Sequence, residues 1–394
     1  MKTNPYRPGA GFMPPFLAGR EQIIEEVDYA LSSLQAHIPQ QSIIFTGLRG
    51  VGKTVLLNHL MEKAREKGIS CVYLEVDPTQ NFAKQITTFS QKYMRETQLS
   101  EKAKNLFVGL LECIKSFAVS YDPEDQTFSL SVQDRQMYSL ADKEQSMIDL
   151  FLKLGETAQK TKKPICIFLD EMQYMDTVQM GHLIASIHRC NQMNYPIMLC
   201  GAGLPKLIKM LADVKSYSER LFSYYEIGAL TENDAKKAIC IPVEHTKYSY
   251  SENAIASILS KTSGYPFFVQ QYCFEIFRMP FNGTEITENI VEQAEEKFDT
   301  ALAGSFFKSR YEKCSPSEVK FIFAMVACGD LPCTMANVAK NMKKTVQSIS
   351  ALRAQLINKG IIYSAKHGEV DFTVPHFDRY IRTLPEYHDF LGES

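Results

Sequence analysis

At 394 residues the chain exceeds what one ordinary core organises, and at roughly 100–200 residues per domain it should divide into two to four packed units. A hydrophobic share of 45%, a charged share of 22%, and only 20 Gly and 17 Pro exclude a disordered or fibrous chain. A formal net charge of −2 excludes binding to nucleic acid or anionic lipid through overall charge, so any such surface must be local.

The start, Met1-Lys2-Thr3-Asn4-Pro5-Tyr6-Arg7-Pro8, lacks the apolar stretch of a secretory signal. No run nears the roughly 18 apolar residues of a membrane span, so no membrane partner is expected. The ten cysteines are scattered without a Cys-x-x-Cys pair, which points to reduced thiols and a cytoplasmic protein. Cys328, Cys333, His367 and His376 lack the spacing of a zinc site.

Residues 1–20 carry Pro5, Pro8, Gly9, Gly11, Pro14 and Pro15 and predict an extended arm. Ile23, Ile24, Val27, Ala30 and Leu31 then share one face of a helix. Nearly continuous apolar runs at 42–46, 71–76, 165–169, 197–201 and 224–229 alternate with helical lengths. Strands apolar on both faces predict a parallel sheet covered by helices on either side, an α/β domain over 21–230. Between the second and third runs the chain is too long for one crossover helix. An insertion over about 99–140 is expected, with a helix at 106–117 followed by a β-hairpin. Its arms read Phe117, Val119, Tyr121 and Phe128, Leu130, Val132, about an acidic tip at Asp122, Glu124 and Asp125.

Beyond 230 no further parallel-sheet strand is expected. Amphipathic helices at 231–240, 251–261, 266–277 and 287–308 predict a helical lid domain over 231–308, the first and last opening on threonines placed for N-capping. Residues 309–394 predict helices at 315–327, 334–342 and 345–358, then strands at 361–363 and 370–374. Three helices and a short hairpin outline a winged-helix domain.

The strongest chemical signal is Gly47-Leu48-Arg49-Gly50-Val51-Gly52-Lys53-Thr54, followed by Val55, between an apolar strand and a helix. The glycines let successive N–H groups turn inward around a polyphosphate, and the helix offers its positive end to the same anion. Lys53 would bridge the outer phosphates, and the Thr54 hydroxyl would ligate Mg²⁺. The strand at 165–169 ends in Asp170 and Glu171. Two carboxylates at the edge of a buried sheet are costly unless they meet a cation or a reaction. Asp170 is therefore expected to hold Mg²⁺ and Glu171 to deprotonate the attacking water.

On these residues the chain resembles bacterial ATP-binding proteins of the AAA+ class, related to origin-recognition initiator ATPases and to STAND signalling ATPases. The likeness also runs through Asn4-Pro5-Tyr6-Arg7-Pro8-Gly9-Ala10-Gly11, Leu17-Ala18-Gly19-Arg20, Asp170-Glu171-Met172-Gln173, Gly201-Ala202-Gly203-Leu204-Pro205, Ser216-Tyr217-Ser218-Glu219-Arg220-Leu221-Phe222 and Gly264-Tyr265-Pro266. It implies an α/β P-loop fold of the AAA+ type, with a helical lid and a C-terminal winged-helix domain, and ATP and Mg²⁺ as cofactors.

Further roles follow from the resemblance alone. The segment containing Gly19 and Arg20 would run along the adenine, and Pro266 would lie against the base. Arg220 would act as an arginine finger toward a neighbouring subunit, making the protein a homo-oligomer. One departure stands out. The fourth strand ends in Cys200, Gly201, Ala202 and Gly203, where many AAA+ proteins place a polar residue for the lytic water. Gln173 or His188 would have to substitute, and no arginine follows Pro266 before Arg278. Slow turnover, a switch rather than a motor, is the expectation.

From 331 to 368 there is no Asp or Glu, while Lys340, Lys343, Lys344, Arg353, Lys359 and Lys366 fall in that window. In a winged helix the third helix enters the major groove. Thr345, Gln347, Ser348, Ser350 and Arg353 are the candidates to face bases, with Lys343, Lys344 and Lys366 on phosphates and Val346, Ile349, Leu352 and Leu356 packed inward. The expected partner is duplex DNA. The competing reading is a STAND-like signalling ATPase whose terminal module binds protein. A small-substrate kinase is disfavoured, because the chain continues into a lid and a winged helix.

Overall fold

The computed structural model describes residues 3–77, 81–97, 104–121, 139–280, 282–366 and 368–392. It divides into two compact units. One comprises residues 20–47 and 53–227, the other residues 1–19, 48–52 and 228–394. Among the described residues no helix is long and apolar enough to cross a membrane, and none of the ten cysteines is in a disulfide.

The first unit runs α1 (Glu21–Gln35), β1 (Ser42–Thr46), α2 (Lys53–Glu66), β2 (Ser70–Glu75), α3 (Phe82–Glu96), α4 (Lys104–Tyr121), α5 (Leu140–Thr161), β3 (Ile165–Asp170), α6 (Thr177–Gln192), β4 (Ile197–Gly203), α7 (Lys206–Val214), α8 (Ser218–Leu221) and β5 (Phe222–Glu226). The five strands form one sheet in the order β2-β3-β4-β1-β5, every neighbouring pair parallel. All residues of β1, β3 and β4 are buried, as strands sandwiched between helix layers must be. Edge strands β2 and β5 are only partly covered.

Insertion of β4 between β1 and β3 sets the end of the glycine-loop strand and the acid-bearing strand on either side of Gly201 and Gly203. Register ties Ile44 and Leu169 to opposite sides of Gly201.

Strand β5 begins two residues before the expected run and ends at Glu226. Ile227 still donates to the Thr46 carbonyl (2.7 Å), so the pairing fades rather than stops. The expected helix-then-hairpin is corrected in its first half. Residues 117–121 continue α4 as helix, because Leu110, Ile114, Phe117 and Ala118 form one buried helical stripe. An alternating reading of Phe117, Val119 and Tyr121 was compatible with that stripe over a stretch too short to separate periods of 2 and 3.6. The acidic tip and the second arm lie outside the described residues.

The second unit contains α9 (Glu232–Cys240), β6 (Ser249–Tyr250), α10 (Glu252–Thr262), α11 (Pro266–Arg278), β7 (Glu285–Ile286), α12 (Glu288–Ala301) and α13 (Lys308–Tyr311). Thr231 and Ser251 cap α9 and α10 by accepting from Asp234 and Ala254 N–H. Thr287 makes no such side-chain bond, contrary to its expected capping role. The two-residue parallel pair β6-β7 is a further departure from an all-helical lid. A π-helical stretch, Leu302–Phe307, joins α12 to α13. The N-terminal arm is pinned to this unit. Asn4 donates to the Phe274 carbonyl (2.9 Å) and buried Tyr6 donates to the Ile239 carbonyl (2.5 Å).

The chain continues through α14 (Pro316–Val326), β8 (Cys333–Thr334), α15 (Met335–Asn341), α16 (Val346–Asn358), β9 (Ile362–Tyr363), β10 (Glu369–Phe372), α17 (Phe377–Arg382) and α18 (Pro385–Gly392). Ser315 and Glu318 form a capping box at α14. The predicted hairpin is present as β9-β10, and β8 extends it to three antiparallel strands in the order β8-β10-β9. Two-residue β8 carries no sequence signal of its own.

Candidate nucleotide site

In the first unit, α2 begins at Lys53, so the N–H groups of Lys53, Thr54 and Val55 belong to its first turn and have no partner within the helix. Such a turn suits an anion by geometry and by helix dipole. Gly47 leaves β1 with its N–H donating to the Gly203 carbonyl (3.2 Å). Buried Lys53 donates from Nζ to the Gly47 carbonyl (2.9 Å).

Asp170, 2% exposed, ends β3 and accepts three hydrogen bonds. The donors are the Thr54 hydroxyl (2.5 Å), the Tyr73 hydroxyl (2.9 Å) and the Glu171 N–H (2.8 Å). A carboxylate this deep is tolerable only when satisfied in this way. Burial, then the charge of Asp170, pushes the Tyr73 phenol well above its ordinary range and keeps it a donor. Burial also raises Glu75, reinforced by the charges of Asp170, Glu171 and Asp77.

This edge of the sheet therefore carries surplus negative charge and an all-oxygen pair, Thr54 and Asp170. Both properties suit a hard divalent cation that keeps water and phosphate as its other ligands. Among the described residues no three His, Cys, Asp or Glu side chains gather as a metal cluster, which a Mg²⁺ held mainly by phosphate and water does not require.

Glu171 occupies the left-handed region (φ 54°), a strained setting for a non-glycine residue and a frequent mark of functional positions. Its carboxylate accepts from Gln173 Nε2. Gln173, 3% exposed, accepts in turn from the Leu204 N–H (2.9 Å) through Oε1. Gln173 thus links Glu171 to the end of β4. The glycines there make the link possible. A Cβ at Gly203 would stand 2.6 Å from Gln173 Oε1, and one at Gly201 would stand 2.2 Å from Met172 Sδ. The polar side chain missing from β4 is matched by a neighbouring side chain occupying the vacated space. His188 instead stacks on Tyr217 (4.3 Å between centroids), a packing role.

Arg220 lies on short α8 with an exposed side chain, while its carbonyl accepts from Gln41 Nε2 (2.9 Å). Arg20 is buried beside the first residue of α1, and its carbonyl accepts the Ile24 N–H (2.9 Å).

In the second unit, Leu48, Arg49, Gly50, Val51 and Gly52 meet the start of α11. Gly50 and Gly52 take φ of 83° and 94°, which lets the loop curl. The Arg49 carbonyl accepts from the Tyr265 hydroxyl, and the Gly50 carbonyl from the Phe267 N–H (3.3 Å). Pro266, the first residue of α11, sits between those two contacts in sequence. The Arg49 N–H donates to the Thr373 carbonyl (3.3 Å), just past β10. Gly19, at φ 65°, faces Asp234, whose carboxylate a Cβ would meet at 2.9 Å. Tyr73 and Thr373 are the participants that no sequence motif revealed, since each contributes through strand geometry.

Around α16, Lys343, Lys344, Thr345, Gln347, Ser348, Ser350 and Lys366 are exposed. Thr345 caps α16 by accepting from the Ser348 N–H (3.3 Å). Arg353 is half-buried and donates from Nη2 to Ser364 (2.8 Å), tying α16 to the segment after β9. Lys359 pairs with buried Glu318 (2.6 Å). Val346 is 43% exposed, which corrects its expected inward packing. It stands at the first position of α16, before the helix turns its apolar stripe toward Ile349 and Leu356.

No functionally curated protein sequence matches the chain. Among solved structures, the Walker-type ATPase PABY2304 of Pyrococcus abyssi aligns with a TM-score of 0.60 and 13% identity, covering 95% of this chain and 98% of that one. The Aeropyrum pernix Orc1 protein in complex with DNA aligns at 0.47 and 13% identity (97% and 94% covered). The Thermotoga maritima RuvB Holliday junction branch migration motor aligns at 0.46 and 12% identity (93% and 96% covered). Residues 304–381 match a domain of unknown function, DUF8462. Residues 17–200 match the AAA ATPase domain, and the strand order together with the glycine loop gives the α/β core of this chain the P-loop AAA+ fold.

Proposed function

We propose that the protein is an AAA+ switch ATPase that binds ATP with Mg²⁺, hydrolyses it to ADP and phosphate, and couples nucleotide state to self-assembly and to duplex DNA. The observation that carries this reading is the Thr54 hydroxyl joined to the buried Asp170 carboxylate at 2.5 Å, in the first turn of α2. Mg²⁺ bound there would neutralise charge on the outer phosphates. Lys53 adds a second positive charge to them, and the first turn of α2 supplies backbone N–H groups. Glu171 accepts a proton from the attacking water, with its carboxylate restrained by Gln173. The test is ADP formation and particle mass, measured with and without duplex DNA. Arg220→Ala is expected to lower turnover by about 10²-fold or more at concentrations where the wild type assembles, with nucleotide affinity unchanged. Turnover within about threefold of wild type would remove Arg220 from the reaction.

The DNA reading extends to the C-terminal module as a winged helix. Its support is the exposed face of α16 with Gln347 and Ser348, flanked by exposed Lys343, Lys344 and Lys366 in a window free of acids. Lys343→Glu with Lys344→Glu is expected to weaken duplex binding at least about tenfold near 0.1 M salt and to flatten the log–log salt dependence by about two. Fluorescence anisotropy of a labelled duplex across a salt series reads both. Wild-type protein with no salt-dependent duplex affinity would favour the protein-binding alternative.

A further inference from the structure

Away from the glycine loop, the second unit contains a cavity of about 290 Å³ beside α12, the π-helical stretch and α17. Phe298, Phe307 and Tyr380 supply its aromatic lining. The π-helical stretch Leu302–Phe307 contributes Leu302, Ala303 and Phe307. Such stretches are rare and occur disproportionately at functional sites.

A second irregularity meets the same cavity. His376, another lining residue, adopts left-handed backbone (φ 62°) immediately before α17, and its ring stacks on Phe268 (5.4 Å). The stacked ring leaves Nε2 buried and without a hydrogen-bond partner. Burial first, and then the charge of Arg379, lowers the His376 pKa to about 4. Asp378 and Asp299 oppose that shift and Lys261 adds to it. The imidazole is therefore neutral near pH 7 and adds a third kind of flat, uncharged ring to the lining. Lys261 is committed to Glu295 and Asp299, whereas Arg379 places an exposed guanidinium among the lining groups.

We propose that this cavity binds a small aromatic acid, with its ring among the three aromatic side chains and its carboxylate at Arg379. Aromatic walls with a few converging polar groups are the usual make-up of a small-molecule site. A ligand seated there would touch both the π-helical stretch and α17, so occupancy stabilises their packing.

The test uses the full chain and 2-naphthoate, a flat ring system carrying one carboxylate. Calorimetric titration is expected to give saturable one-to-one binding and a raised Tm. Thr383→Trp, at an exposed lining position, is expected to abolish binding, and Arg379→Glu to weaken it at least about tenfold. Replacing the probe by 2-naphthol should cost a similar factor. Lys53→Ala should leave this binding unchanged, which separates the cavity from the nucleotide reading. No saturable binding up to millimolar probe, or equal affinity in wild type and both cavity variants, would overturn the proposal.

Discussion

Glu171→Gln is expected to lower ATP hydrolysis by about 10²–10³ while leaving ATP affinity within about twofold. The isosteric amide can still accept the Gln173 hydrogen bond through its carbonyl oxygen, so the geometry at the end of β3 is preserved and only the proton acceptor is removed. Lys53→Ala should behave differently. It deletes the buried ammonium that donates to the Gly47 carbonyl and is assigned to the outer phosphates, so nucleotide affinity itself should fall by about tenfold or more, with turnover lost alongside it. The pair of variants separates binding from chemistry. Equilibrium binding of a fluorescent ATP analogue reads the first, and a coupled ADP-release assay the second. Glu171→Gln turning over within about threefold of wild type would transfer the base role elsewhere, and Lys53→Ala binding ATP as tightly as wild type would remove the phosphate assignment.

The second large effect is on stability. Gly264→Ala is expected to destabilise by about 2–4 kcal/mol, combining a left-handed backbone with a steric collision. Gly264 has φ 67°, and a Cβ there would lie 2.6 Å from the Leu230 carbonyl oxygen. That obstacle is backbone, held by the Leu230 N–H donating to the Gly264 carbonyl (2.9 Å), so no side-chain rotation relieves it. Gly329→Ala is the matched control. Its φ is 89°, but nothing lies within 4 Å of the added carbon, and about 1–2 kcal/mol is expected from the backbone alone. Thermal and urea unfolding of both variants measures the difference. Equal losses would show that the Leu230 contact moves aside at little cost.

Much of the fold was legible because its signals are local. Buried strands β1, β3 and β4 are apolar along their length since both faces are covered, and the three lie within about two residues of their sequence assignments. The glycine loop was legible for a related reason, as backbone that must curl through positive φ at Gly50 and Gly52 admits few residues. Signals failed where two readings shared one pattern. Phe117, Val119 and Tyr121 alternate like a strand, yet the buried stripe Leu110, Ile114, Phe117 and Ala118 requires a helix. Thr287 has the residue type of a cap, but capping depends on a side-chain rotamer, and its hydroxyl is not used that way.

The sequence by itself determined a parallel α/β core, a phosphate-type loop ending at Lys53 and Thr54, an acid pair closing a buried strand, and a basic terminal module. Each depends on residue type and spacing within a short window. Tertiary structure alone decided that Tyr73 would serve Asp170, that Met172 and Gln173 would occupy the space left by Gly201 and Gly203, and that Phe298, Phe307 and Tyr380 would meet around one cavity. These depend on strand order and on contacts between segments distant in the chain, where a shift of one residue in register or one turn of helix changes the partner while leaving the local pattern intact.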